Sequence, residues 1–210
     1  GERRARVPGS GDVLDRTIDV RGRRDFDELL GDRRGILDAP HYRAQCESIA
    51  DAIVKALRRG NKVLWMGNGG SAAEAQHMAA ELSGRFLRER PGLASEALSV
   101  NSSAVTAIAN DYGYDHVFRR QVEAFAVAGD VVIGLTTSGS SRNIVLALEE
   151  AKRRDALTVA FTGNGGGEVA RIADLVLLGP HGYSAIVQEV HQTMAHIVCD
   201  LVEQRMIFET

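Results

Sequence analysis

The sequence predicts a doubly wound α/β domain: a parallel sheet with helices on both faces and long helices at its N- and C-terminal ends. Three observations carry this prediction. Short apolar runs alternate with segments of helical periodicity along most of the chain. The runs are almost continuously apolar, as strands covered on both faces must be. Glycine and hydroxyl residues cluster just after several of these runs, where a strand would turn into a helix.

Residues 1–38 mix Arg with Asp and Glu, carry Gly and Pro, and hold few apolar residues. They are expected to form a loosely ordered arm with one short helix near 26–30, and the domain proper spans 39–210. After Pro40, the residues Tyr42, Cys46, Ile49, Ile53 and Leu57 recur at helical spacing, and Gly60 closes a helix over 41–59. KVLWMG (62–67) reads as a buried strand, and 71–84 as a helix of small residues. EALSV (96–100) is a strand, followed by a short helix over 101–109 and another over 115–128. DVVIGLTTS (130–138) is a strand and 141–154 a helix. LTVAFTG (157–163) and ADLVLLG (173–179) are strands, and 183–207 forms the long last helix. No linker divides this stretch. GNGG at 67–70 recurs at 163–166, each time after a strand, which a repeated turn device explains more simply than a duplicated domain.

Composition narrows the function. The 210 residues carry a formal net charge of -3, with no basic footprint for nucleic acid or an anionic membrane. No apolar run approaches the roughly 18 residues that span a bilayer, and no secretory leader is recognisable. Cys46 and Cys199 are too few and too far apart for a disulfide framework or a cysteine zinc site. A cytoplasmic protein is expected.

Three loops at strand ends carry the chemistry: GNGGS (67–71), TTSGSS (136–141) and TGNGGG (162–167). In an open parallel sheet, ligands sit beyond the carboxyl ends of the strands. Helix N-termini there offer free N–H groups and a positive dipole end to a phosphate. Neither nucleotide fingerprint is met: Ala72 stands where the last glycine of G-x-G-x-x-G would be, and no Walker lysine follows any loop. The loops therefore suggest a phosphosugar more than a nucleotide.

His77 and Glu81 are four apart and share one helix face. Ala72, Ala73, Ala75, Ala79 and Ala80 surround them, which implies close packing. On the last helix, Gln188, Gln192 and His196 lie on one narrow arc. His191 falls among apolar residues instead and reads as a structural or subunit-contact histidine. From the residues alone, His77 and Glu81 are a weak metal pair, and a polar helix arc is usually a solvated face.

The segments GNGGSAAEAQHMAAEL (67–82), AIANDYGYDHVF (107–118), GDVVIGLTTSGSSRNI (129–144) and VQEVHQTMAHIV (187–198) resemble the sugar isomerase (SIS) fold. More narrowly, they resemble the sedoheptulose 7-phosphate isomerase, or phosphoheptose isomerase, family over about residues 41–207. The resemblance implies a cytoplasmic homotetramer with one zinc per subunit, held by His77, Glu81, Gln188 and His196. It implies Glu81 as catalytic base and His196 as acid. It implies substrate contacts from Asn68, Gly69, Gly70, Ser71, Glu81, Asn110, Asp111, Thr136, Thr137, Ser138, Ser141 and Gln188. The implied substrate is a phosphosugar, sedoheptulose 7-phosphate, isomerised through an enediol to D-glycero-D-manno-heptose 7-phosphate. Neither nucleic acid nor membrane is an implied partner.

Two positions depart from the family: Ile186 where Arg is common, and Thr136 where Ser is common. Two other readings share the scaffold. One is an isomerase of another phosphosugar. The other is a non-catalytic SIS adaptor similar to the replication-initiator-associating branch, which lacks the acid–base pair retained here. The two long terminal helices are expected to pack against other copies, with His191 or Asp111 crossing to a neighbour's site.

Overall fold

The computed structural model describes residues 25–209; most of the expected N-terminal arm lies outside them. The helices are α1 (Phe26–Gly31), α2 (His41–Arg58), α3 (Gly70–Ser83), α4 (Ser102–Tyr112), α5 (Val117–Phe125), α6 (Arg142–Arg153), α7 (Val169–Ile172) and α8 (Ser184–Phe208). The strands are β1 (Val63–Gly67), β2 (Ser95–Ala97), β3 (Val131–Thr136), β4 (Leu157–Thr162) and β5 (Leu175–Leu178). One turn of 3-10 helix, Tyr114–His116, joins α4 to α5.

All five strands are parallel, in the order β2-β1-β3-β4-β5. Strand period 2 divides their side chains between two cores. Val63, Trp65, Ile133 and Phe161 face α2, α3 and α8, while Leu64, Met66, Val132 and Ala160 face α5 and α6. Both faces are buried, which is why the strands read as continuous apolar runs. The chain leaves β1 toward β2 on one side, then returns to lay β3 on the other side of β1. The crevice between the carboxyl ends of β1 and β3 is therefore the topological switch point, where ligands of such sheets bind.

Residues 25–38 are tied down. Asp25 and Glu28 form a capping box at α1, with Glu28 N donating to Asp25 Oδ1 at 2.9 Å. Arg33 pairs with Glu189 on α8 at 2.8 Å, and Ile36 enters the core. The short helix expected near 26–30 is present, but this part of the predicted arm packs on the domain. The single turn of α7 was not predicted, and α4 runs past the expected 109.

Candidate active site

Both hydroxyl loops reach the switch point. After β1, Gly67 leads into Asn68 and Gly69, and α3 begins at Gly70. Asn68 is locked by a reciprocal amide pair. Its Nδ2 donates to Asn143 Oδ1 at 3.0 Å and its Oδ1 accepts from Asn143 Nδ2 at 2.8 Å. The Tyr114 hydroxyl donates to the same Asn68 oxygen at 3.0 Å. Asn143 is buried in the first turn of α6, so one side chain ties the loop after β1 to the helix after β3.

The second loop is held by its own hydroxyls. Thr136 Oγ1 and Ser141 Oγ lie 2.9 Å apart, and Ser138 Oγ accepts from the Ser140 hydroxyl at 3.1 Å. Thr137 Oγ1 is 3.2 Å from Ser184 Oγ at the start of α8. Ser141 is the N-cap of α6 but makes no side-chain bond to that helix, so the helix keeps unsatisfied N–H groups facing the crevice.

The third loop supports the second. A Cβ on Gly167 would stand 2.6 Å from backbone atoms of Gly139, and one on Gly139 would stand 2.1 Å from Gly166 O. Val169 N donates to Gly139 O, and Asn164 Nδ2 donates to Thr137 O. Glycine is required there because two backbones touch, and the loop spends its Asn164 on Thr137 O, Pro180 O and Gly182 N. Its sequence likeness to GNGGS does not make it a second cradle.

The far end of α3 meets α8 at a cluster of two histidines and a glutamate. His77 Nε2 is 2.8 Å from Glu81 Oε1 and 3.4 Å from His196 Nε2 on α8. The two rings meet edge to face with centroids 4.9 Å apart. Donor atoms of His77, Glu81 and His196 all lie within 4.8 Å of one another. Burial, then the neighbouring His77, lowers the pKa of His196 against the opposing pull of Glu81.

The amide nitrogen of Gln192 lies 3.0 Å from His77 Nδ1 and 3.2 Å from His196 Nε2. Gln188 sits one turn earlier, with its Nε2 3.5 Å from Ser71 Oγ and its amide directly over Gly70. Helix rise explains the division: Gln188 and His196 are eight residues, or about 12 Å, apart along α8. The structure thus brings His77, Glu81 and His196 together and lays the Gln188 amide beside Ser71 and Gly70. Gln192, on the same arc, was visible in the sequence but carried no assigned role.

Asn110 and Asp111 occupy the exposed end of α4. The Asn110 amide donates to Asp111 Oδ1 at 2.9 Å, and among the described residues neither bonds to the two loops. His191 is fully buried in its own chain, edge-on to Phe161, and is not placed to cross to a neighbour. Asn143, Tyr114, Phe86 and Gln192 are the site neighbours that sequence reasoning missed. Only Gln192 left a signal, its position on the α8 arc.

Residues 40–163 match the SIS domain family. A phosphoheptose isomerase from Pelobacter propionicus is 48% identical over 192 residues, covering 91% of this chain and 97% of that protein. One from Geobacter metallireducens is 55% identical, covering 75% of this chain and 83% of its own. The solved phosphoheptose isomerase from Francisella tularensis superposes with a TM-score of 0.73 at 38% identity, over 79% of this chain and 86% of that chain. That from Neisseria gonorrhoeae gives 0.70 at 40% identity, over 78% and 92%. With its crevice loops and its His–Glu–His cluster in place, the chain belongs to the phosphoheptose isomerase family, aldose–ketose isomerases built on the SIS domain.

Proposed function

We propose that the protein interconverts D-sedoheptulose 7-phosphate and D-glycero-D-manno-heptose 7-phosphate. The observation that carries this reading is the layout of α3 and α8. The hydroxyl loops lie at one end of a cleft, and the rise of the helices sets Glu81 about 15 Å beyond Ser71 on α3 and His196 about 12 Å beyond Gln188 on α8. Side chains reaching inward from both ends shorten that axial separation toward the span between the phosphate and the carbonyl carbon of an extended sugar phosphate.

Ser71, Thr137, Ser138 and Ser141 bind the phosphate with the N-termini of α3 and α6. Asn68 and Gln188 orient the sugar chain, with Gly69 and Gly70 allowing close approach. Glu81 removes the C1 proton of the ketose, and the His196 ring supplies a proton to the C2 oxygen, giving the enediol. The ring then takes the O1 proton while Glu81 returns its proton to C2, so the reaction balances without an outside acid. Burial lowers the pKa of His196 and so favours the neutral imidazole, which can donate and accept in turn.

Two imidazoles and a carboxylate converging within one coordination sphere suit zinc. His77, Glu81 and His196 would hold it with a glutamine amide. The resemblance names Gln188 for that role, and Gln192 is the amide lying against both imidazoles. Bound there, zinc supplies Lewis-acid polarisation of the carbonyl and charge stabilisation for the enediolate.

A homotetramer in a reducing cytoplasm fits the rest of the chain. Cys46 and Cys199 are free and buried, and burial pushes their thiols up to about 11 and about 12. No helix among the described residues is long and apolar enough to cross a membrane. Asp111, exposed on α4, is the candidate for contact with a neighbour's site.

Incubating the purified protein with sedoheptulose 7-phosphate and detecting aldoheptose phosphate tests the reading. Turnover supports it. No turnover with metal restored favours the adaptor reading, and turnover only with a shorter phosphosugar favours a different substrate.

A further inference from the structure

A fully buried carboxylate lies outside the chemistry so far. Glu203 is on α8, two turns after His196 and on the same face. Its oxygens accept from three successive backbone N–H groups: Phe86 N to Oε1 at 3.0 Å, and Leu87 N and Arg88 N to Oε2 at 3.0 and 2.9 Å. Arg90 Nε lies 3.2 Å from Oε1 and Arg88 3.4 Å from Oε2. A side chain thus fills a backbone anion nest and fixes the loop that leaves α3.

The loop so fixed does two things at the site. It lays the half-buried ring of Phe86 against His196, nearly parallel at 23° with centroids 5.7 Å apart. It also aims Arg90 at the end of α3, where its guanidinium donates to the carbonyl oxygens of Glu81 (2.8 Å), Leu82 (2.9 Å) and Gly84 (3.1 Å). Both proton-transfer residues therefore sit against one loop, and that loop hangs from Glu203.

We propose that Phe86 is a positioning residue for His196, held in place by Glu203, and that its stacked ring sets the imidazole plane for proton transfer. The inference rests on the isomerase reading for its kinetic consequence, but its geometric content stands alone. Ring orientation matters because small misplacements of a catalytic group lower the rate while leaving binding intact.

The test uses the full chain with Phe86→Ala, Phe86→Tyr and Glu203→Gln. Phe86→Ala is expected to lower kcat about 10-fold with KM within about twofold. Phe86→Tyr, which keeps the ring, restores wild-type kcat. Glu203→Gln, which loosens the loop at Phe86 and at Arg90 together, is expected to lower kcat at least as far as Phe86→Ala and to move the same His196 resonance. In parallel, the His196 ring-proton resonance, shifted by the stacked Phe86, is expected to move and broaden in Phe86→Ala but not in Phe86→Tyr. Phe86→Ala that keeps kcat and leaves the His196 resonance in place overturns the proposal. So does a kcat loss that Phe86→Tyr fails to restore. If the wild type itself does not turn over sedoheptulose 7-phosphate, the functional reading fails, and the resonance alone decides the positioning claim.

Discussion

Glu81 carries the heaviest demand of any single residue in the proposed mechanism, which asks one carboxylate both to hold a metal and to move a proton. The geometry divides its two oxygens. Oε1 lies 2.8 Å from His77, while Oε2 makes no hydrogen bond among the described residues. Glu81→Gln keeps the shape and removes the base. It should cut kcat by about 10²–10⁴-fold, the usual share of a general acid–base group, with KM little changed. Near-wild-type turnover would refute the assignment. His77 is nearest the centre of the cluster, touching Glu81, Gln192 and His196. Elemental analysis after dialysis against a chelator should show less bound metal in His77→Ala than in wild type. Equal retention would place the metal elsewhere.

Among the elements, the loops decide more than the helices do. The apolar runs and the four-residue spacing of His77 and Glu81 were legible because strand and helix periods write themselves into a single segment. The Asn68–Asn143 lock, the hold of Glu203 on Phe86 and the backbone contact of Gly139 with Gly167 were not. Each joins residues distant in sequence, and no local period records such a contact. The turn of α7 is too short to show a period at all. The buttressing loop gives a direct test. At Gly167, φ is 59° and an added Cβ meets Gly139 backbone. Gly167→Ala should raise KM for the phosphosugar several-fold and lower stability by about 1 kcal/mol or more. An unchanged KM would show that the serine loop needs no support. His191, between α8 and β4, tests packing by pH. Burial lowers its pKa from 6.5 to about 4. The unfolded chain therefore binds a proton first as pH falls, and stability is lost between about 6.5 and 4. From pH 7 to pH 5 the wild type should lose about 2 kcal/mol more than His191→Leu in urea unfolding. Glu74, pushed up to about 8 by burial, titrates in the opposite sense and cancels in that difference. Equal pH dependence of the two proteins would mean that His191 protonates in place.

At the scale of the whole molecule, one copy of the chain leaves apolar surface that the fold does not cover. A groove between α2 and α8 is lined by Leu37, Ala39, Tyr42, Met194, Ile197 and Leu201, and Ile197 on α8 is 43% exposed. Helix α4 buries none of its residues, although it ends in the Asn110–Asp111 pair that the family resemblance assigns to the substrate. Its Val105, Ile108 and Ala109 are only partly buried against the core beneath α5 and α6, so a single copy of the chain holds this helix weakly, because most helical stability comes from packing an apolar face. Closed symmetric assembly supplies such packing at the least cost in exposed surface, and C2 and D2 arrangements are the common outcomes. Asp111 would then meet the site of a neighbouring copy. The expected species is a homotetramer by light scattering at micromolar concentration. Ile197→Glu, which sets a charge in the groove, should shift the mass toward smaller species and lower activity together, as a site that borrows from its neighbour requires. An active, monodisperse monomer would overturn both the assembly and the shared site. A dissociated Ile197→Glu variant with full activity would keep the assembly and remove the sharing.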